Sequence, residues 1–382
     1  VIASADTCSV YTFNIEQALD KYFRPKLCDA DHSICSELLD KLTRRLQFNV
    51  VLVDAESFNI HVAYETINNR GRKLSNLERL KNRVMFLTTM LQVSTRPGEP
   101  EDARVQRQTK IRNQMRHSSN RTWRTIYNWL GKDHKMQLSD DEFLRNHTLI
   151  YFKIDTGEAG AVETTLFDEC FTVQAIRGGE LTTKRLEEYL LSLEEGVVCW
   201  FHLHSAERVP YKHAYYLEKI DNLRWTAFKP LLLAAYMRLL NGHEEQIADL
   251  TPLESLLEPA AALLREVEHF IVLIYLVSGR RSHIGRKDFL NLAHRLYRAE
   301  DELKGDAASA VDYTARYVRT RVVNHWEETD DGDYIYEDPQ FAWEGWLNLE
   351  TFKTHIQQAL GQPNAGYYGL EWTKYLLFEY EE

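Results

Sequence analysis

Leu77, Leu80, Val84, Leu87 and Leu91 recur at alternating steps of three and four residues, which places them on one face of a helix. Ser75 stands three positions ahead of Glu78, the spacing at which two side chains satisfy the orphan backbone donors of a helix start reciprocally. Just before them, Asn68, Asn69 and Gly71 suit a left-handed helix stop and a tight turn. The stretch YETINNRGRKLSNLERLKNRVMFL, from Tyr64 to Leu87, therefore predicts a helix end, a turn and a second helix start. Its polar side carries Arg70, Arg72, Lys73, Lys81 and Arg83, and a cationic, amide-rich helix start is a natural place for a phosphate or carboxylate. The same residues also describe a capped helical hairpin with a solvated basic face.

The pattern predicts helices over Ile15 to Phe23 and Ile34 to Leu46. Between Phe48 and Val53, Phe48, Val50 and Leu52 alternate with Asn49, Val51 and Val53, the clearest strand in the chain. A helix containing Phe58, Val62, Glu65 and Ile67 is expected to follow. A break rich in Pro, Gly and charge, STRPGEPEDAR, covers 94–104. Ser139 and Glu142 then repeat the capping spacing ahead of Phe143, Leu144, His147 and Tyr151. Residues 154–180, rich in Gly, Thr and acid, read as an irregular loop or short hairpin. Beyond Leu181 helical segments are expected near 182–206, 211–222, 226–241, 252–278, 286–303 and 306–325, joined by loops short enough to imply antiparallel neighbours. No fixed-period repeat is present.

Composition narrows the function classes. The 382 residues are 44% hydrophobic and 27% charged, ordinary for a globular protein with two to three domains. A net charge of −11 excludes indiscriminate nucleic-acid binding, so any DNA contact needs a local basic patch. One candidate exists: Arg104, Arg107, Lys110, Arg112, Arg116, Arg121 and Arg124, with His117 and Trp123 among them, could track a phosphate backbone. A solvated helix surface is the competing reading. The five scattered Cys suit a reducing cytosol, and a cytoplasmic location is expected. The longest apolar run, Phe270 to Val277, is too short to span a bilayer, so no membrane partner is expected.

Metal and nucleophile chemistry find little support. Cys28, His32 and Cys35 are suggestively spaced, but a structural zinc site wants four ligands. His202 and His204 alternate as in a strand between helical flanks. The acidic run from Glu327 to Pro339 lacks the ligand order of a calcium loop and reads as a solvated loop. No nucleophile elbow, phosphate-binding P-loop or dinucleotide fingerprint is present. The aromatic end, with Trp343, Trp346, Tyr367, Tyr368, Trp372, Tyr375, Phe378 and Tyr380, is dense enough to seat another domain or subunit.

The segment YETINNRG-x-x-LS-x-x-ER-L-KN resembles the F-E-x-x-N-x-R-G-x-x-L-S-x-x-D-L-x-K-N signature of the GmrSD-type family of modification-dependent restriction and phage-defence proteins. Tyr64, Glu65, Asn68, Arg70, Gly71, Leu74, Ser75, Lys81 and Asn82 carry the match; Glu78 replaces the usual Asp, and Arg79 an apolar residue. Two looser echoes follow in the family's order, HFIVLIYLVSGRRSHIGRKDFLNLAHRLYR and YYGLEWTKYLLFEYEE. The family's opening I-P-x-x-Q-R segment and D-G-Q-Q-R loop are absent, as is its HNH nuclease, so the chain is expected to be the middle of a longer protein.

The resemblance implies a mainly α fold, in which the remnant of a ParB-like α/β nucleotide-binding domain precedes a large helical bundle. Residues 1–92 are the trailing part of that domain, 93–137 a basic linker and helix, 138–326 the helical domain, and 327–382 the acidic loop and aromatic end. It implies a nucleotide site formed by Glu65, Asn68, Arg70, Gly71, Ser75, Lys81 and Asn82, with Arg70 on a phosphate and Ser75 capping a helix whose positive end faces the site. GTP or ATP with Mg²⁺ would be the cofactors of the parent protein, and modified or foreign DNA its partner. No residue of this chain is expected to be catalytic. A non-catalytic helical adaptor, binding a protein through the aromatic end, is the alternative.

Overall fold

A computed structural model describes residues 10–27, 31–46, 74–91, 97–133, 137–154, 160–223, 225–243, 248–278, 280–322, 353–354 and 357–358. The protein is mainly α, and among the described residues no strand occurs. The expected strand at 48–53, Glu65, Asn68, Arg70 and Gly71, the acidic run and the aromatic end lie outside the described residues, as do Cys8 and Cys28.

The first helices are α1 (Val10–Ala18) and α2 (His32–Asp40), each followed by a five-residue π-helical turn. Next come α3 (Asn76–Met90), α4 (Glu101–Leu130), α5 (Asp140–Tyr151) and α6 (Thr183–Leu203). The chain continues through α7 (Tyr211–Asp221), α8 (Lys229–Leu240), α9 (Glu254–Phe270), α10 (Arg286–Arg298) and α11 (Ala307–Val322). These agree with the periodicity to within a few residues at the ends.

Residues 154–180 correct the expectation of a loop or hairpin. They hold helical turns at Ala161–Thr164, Thr165–Cys170 and Val173–Arg177. Thr172 caps the last, accepting from the Ala175 N–H at 3.0 Å. Leu166, Phe167, Phe171 and Ala175 are buried at helical spacing, a signal that the surrounding Gly and Thr residues hid.

The chain divides into two compact units, Val1–Leu144 with Phe167–Glu194, and Arg145–Leu166 with Glu195–Glu382. In the first, α3 packs on α4. Leu77, Leu80, Val84 and Leu87 of α3 are fully buried, as the three-and-four pattern requires, and Trp123 of α4 donates from Nε1 to the Leu77 carbonyl at 3.3 Å.

In the second unit α9 packs against α7 and α11, and α8 against α10. Their core is aromatic: Phe228, Phe270 and Phe289 are fully buried, with ring centroids 4.6–5.3 Å apart. Polar groups are also buried in this unit, His213, Lys219 and Glu268 among them. His213 of α7 accepts at Nδ1 from the Tyr236 hydroxyl (2.6 Å) and donates from Nε2 to the Leu257 carbonyl (3.0 Å). Lys219 of α7 pairs with Glu268 of α9 at 3.5 Å, both side chains under 5% exposed, with the ammonium 4.2 Å from the centre of the Tyr215 ring.

Gly196 of α6 lets His147 and Met237 approach its backbone, and an added Cβ would stand 2.9 Å from His147 Cδ2 and 3.4 Å from Met237 Sδ. Gly196→Val is expected to lower stability by about 1–3 kcal/mol through overpacking, despite the better helix propensity of the new residue. Urea unfolding measures this; an unchanged midpoint contradicts the close approach.

Candidate functional site

The described part of the signature is the start of α3. Ser75 forms the expected capping box: its Oγ accepts from the Glu78 N–H at 3.2 Å, and Glu78 Oε2 accepts from the Ser75 N–H at 2.9 Å. The helix end also receives two carboxylates from the start of α5. Asp141 Oδ1 accepts from the N–H groups of Asn76 (2.6 Å) and Leu77 (3.3 Å), and Ser75 Oγ donates to Asp140 Oδ2 at 2.6 Å. Arg79 N–H bonds the Ser75 carbonyl at 2.9 Å. All four leading amides of α3 are thus engaged within the chain.

This corrects the expectation that the positive end of this helix faces a phosphate: an anion already occupies it, supplied from 65 residues further along the chain. Asp141→Ala is expected to cost about 1–2 kcal/mol, as loss of a helix cap does. A chemical denaturation curve tests it, and no loss would contradict the capping role. Lys81 lies half-buried with its ammonium 5.8 Å from the centre of the Tyr127 ring, and Asn82 is half-buried beside it in sequence.

The seven cations proposed for DNA all lie on α4. Arg104 pairs with Glu101, and Arg107 makes a two-point pair with Glu99 at 2.8 and 2.6 Å that favours its charged form. Arg112 Nε donates to the Leu91 carbonyl at 3.0 Å, and Arg121 meets Glu194 at 3.4 Å. Lys110, Arg116 and Arg124 are exposed and have no partner among the described residues. At about 100° per residue, Lys110 and Arg124 share a face but lie about 21 Å apart along the axis, while Arg116 is turned about 120° from Lys110. A seven-residue basic stripe in the sequence becomes three free cations on more than one face. An open groove of about 830 Å³ runs beside this helix, lined by Val105, Thr109, Lys110, Asn113, His117 and Arg121 among others.

A different cationic site, which the sequence pattern does not single out, is built in the second unit where the end of α5 meets the start of α10. A cavity of about 600 Å³ opens there. Leu149, Ile154 and Leu290 give it an apolar wall; Lys153, His283, Arg286 and Lys287 give it cationic and imidazole groups. Gly285, at φ +76°, turns the chain into α10, whose first two residues are Arg286 and Lys287. Burial, reinforced by the nearby charge of Arg145, pulls the Arg286 pKa below its ordinary value.

The carbonyls ending α5 are already satisfied: His294 Nδ1 donates to Ile150 O at 3.0 Å, and Arg298 donates to Tyr151 O at 2.7 Å. That helix end therefore has less negative potential left to offset the cations. Burial also lowers the pKa of His294, which lines the cavity and is disfavoured in its charged form. The sequence signal for this site is the run GRRSHIGRKD leading into α10, which lies inside the first of the two family echoes.

Among the described residues no group of three or more His, Cys, Asp or Glu side chains could hold a metal. His202 lies in α6 and His204 just past its end, so the suspected alternation is helical. No helix of the described residues is long and apolar enough to cross a membrane. The structure therefore defines a mainly helical protein carrying a cation-rich, partly apolar cavity. No protein-family model, curated protein or solved structure matches the chain.

Proposed function

We propose that the chain is the central, mainly helical part of a nucleotide-dependent restriction protein that acts on modified or foreign DNA, with a ParB-like domain remnant at its start. The observation that carries this reading is the sequence match from Tyr64 to Asn82, and the capping box of Ser75 and Glu78 within it supports a helix start at that point of the motif. Because Asp141 fills the end of α3, phosphate recognition in this reading falls to side chains, Arg70 first, whose planar guanidinium suits a phosphate. GTP or ATP with Mg²⁺ would license cutting elsewhere in the parent protein, and this chain would relay the signal. DNA would be held by the free cations of α4.

The adaptor reading draws on one observation of its own: four of the seven α4 cations already have partners in a chain of net charge −11. DNA retention separates the two. The triple variant Lys110→Glu, Arg116→Glu, Arg124→Glu removes only exposed cations without a partner among the described residues. The restriction reading expects DNA binding that weakens in this variant, with the salt slope reduced by about 0.9 for each phosphate that is no longer neutralised. No DNA retention at physiological salt by the parent chain would sink that reading and leave the adaptor.

A further inference from the structure

The cavity between the end of α5 and the start of α10 collects positive charge that the fold does not use. The side chains of Lys153, Arg286 and Lys287 have no hydrogen-bond or ion-pair partner among the described residues, and neither does that of nearby Arg145. Asp288 is the one carboxylate among the lining residues, so among the described residues three cations at the wall leave a surplus of two positive charges. In a chain with 57 acidic residues against 46 basic ones, such a cluster is not a by-product of composition. Holding like charges together around half-buried Arg286 is unfavourable without a counter-charge.

The shape narrows the ligand. A volume of about 600 Å³ falls in the range of small-molecule sites and is far more than one inorganic ion needs. Its lining is mixed: Lys153, Arg286 and Lys287 supply cations, Leu149, Ile154 and Leu290 apolar surface, and Asn291 an amide. A surplus of two positive charges calls for a ligand with about two negative charges or more, which phosphate esters supply near neutral pH. A lone carboxylate would leave part of the charge unmatched.

We propose that this cavity binds a phosphate ester of nucleotide size, with Lys153, Arg286 and Lys287 on the phosphate and the Leu149, Ile154 and Leu290 wall against the organic part. The site is separate in sequence from the signature around Arg70 and does not depend on the function assigned to it. His283 stands at the rim as an exposed imidazole, and His294 lines the cavity while its Nδ1 proton is committed to Ile150.

The test is a calorimetric titration of the full 382-residue chain with ATP, with pyrophosphate, and with a DNA duplex in parallel. The same titrations are run on Arg286→Glu/Lys287→Glu and on Arg70→Ala. Saturable ATP binding is expected, weaker for pyrophosphate, and reduced about tenfold or more by Arg286→Glu/Lys287→Glu, since each charge-assisted contact carries a substantial share of such affinity. Arg70→Ala should leave that binding event in place. Lys153→Ala/Lys287→Ala, confined to exposed side chains, guards against misfolding of the first variant and should weaken ATP binding in the same direction. The proposal is overturned if ATP does not bind, if the cavity variants bind it as the parent does, or if only the DNA duplex responds to them.

Discussion

Glu268→Ala is expected to lower the stability of the protein by about 3–5 kcal/mol, more than any other single substitution proposed for this chain. The reason is the burial of both partners: Lys219 and Glu268 are 3.5 Å apart with side chains 4% and 3% exposed. Removing the carboxylate takes the ion-pair partner from a buried ammonium that lies 4.2 Å from the centre of the Tyr215 ring and 6.0 Å from that of Tyr216. The double variant Lys219→Met/Glu268→Leu removes both charges and fills the space with apolar groups, so it should recover most of the loss, which neither single change can do. Urea unfolding of the four proteins of this cycle measures the coupling. Additive single effects would contradict a buried, mutually dependent pair.

The second large effect is a loss of stability in acid. Burial holds the His213 pKa at about 4 against an ordinary 6.5, and the bond to the Leu257 carbonyl opposes that shift only in part. Below pH 6.5 the unfolded chain therefore takes up a proton that the folded chain refuses. Stability falls as pH drops from 6.5 towards 4, by about 3 kcal/mol over the window, and flattens below it for this group. His294, whose pKa burial also lowers, acts in the same direction. The unfolding free energy measured from pH 7 to pH 4 should show this decline, and His213→Gln should flatten it at some cost in stability at pH 7. A His213→Gln profile as steep as that of the parent protein would contradict the assignment.

Which of these features could be read from the sequence follows from how local each one is. The capping box of Ser75 and Glu78 and the leucine face of α3 lie within a few turns of chain, and the pattern displayed them directly. The helices after Leu181 were legible for the same reason. The Asp141 cap on α3 was not, because its donors and acceptor are more than 60 residues apart. His213 with Tyr236, separated by 23 residues, and Lys219 with Glu268 are likewise products of helix packing rather than of local pattern.

The basic helix shows the opposite error. Seven cations in 21 positions, from Arg104 to Arg124, look like one surface when written in a line. The turn of the helix distributes them, and Glu99, Glu101, Glu194 and the Leu91 carbonyl engage four. The cavity at α10 was hidden for a related reason: Lys153 and Arg286 come from distant parts of the sequence and meet only in the fold. Residues 154–180 mislead because Gly and Thr signal loops on average, while Leu166, Phe167 and Phe171 held the helical turns to the core here.

In the proposed function the signature around Arg70 serves a nucleotide. Its most direct test is equilibrium binding of GTP and ATP, with Mg²⁺, to the protein as its native gene expresses it. The comparison is Arg70→Ala, with Arg286→Glu/Lys287→Glu introduced into both so that the cavity at α10 does not contribute. Affinity about tenfold or more weaker in Arg70→Ala, at unchanged thermal stability, is the predicted result. Equal affinity in the two proteins would contradict it, and would reduce the signature to a helical scaffold.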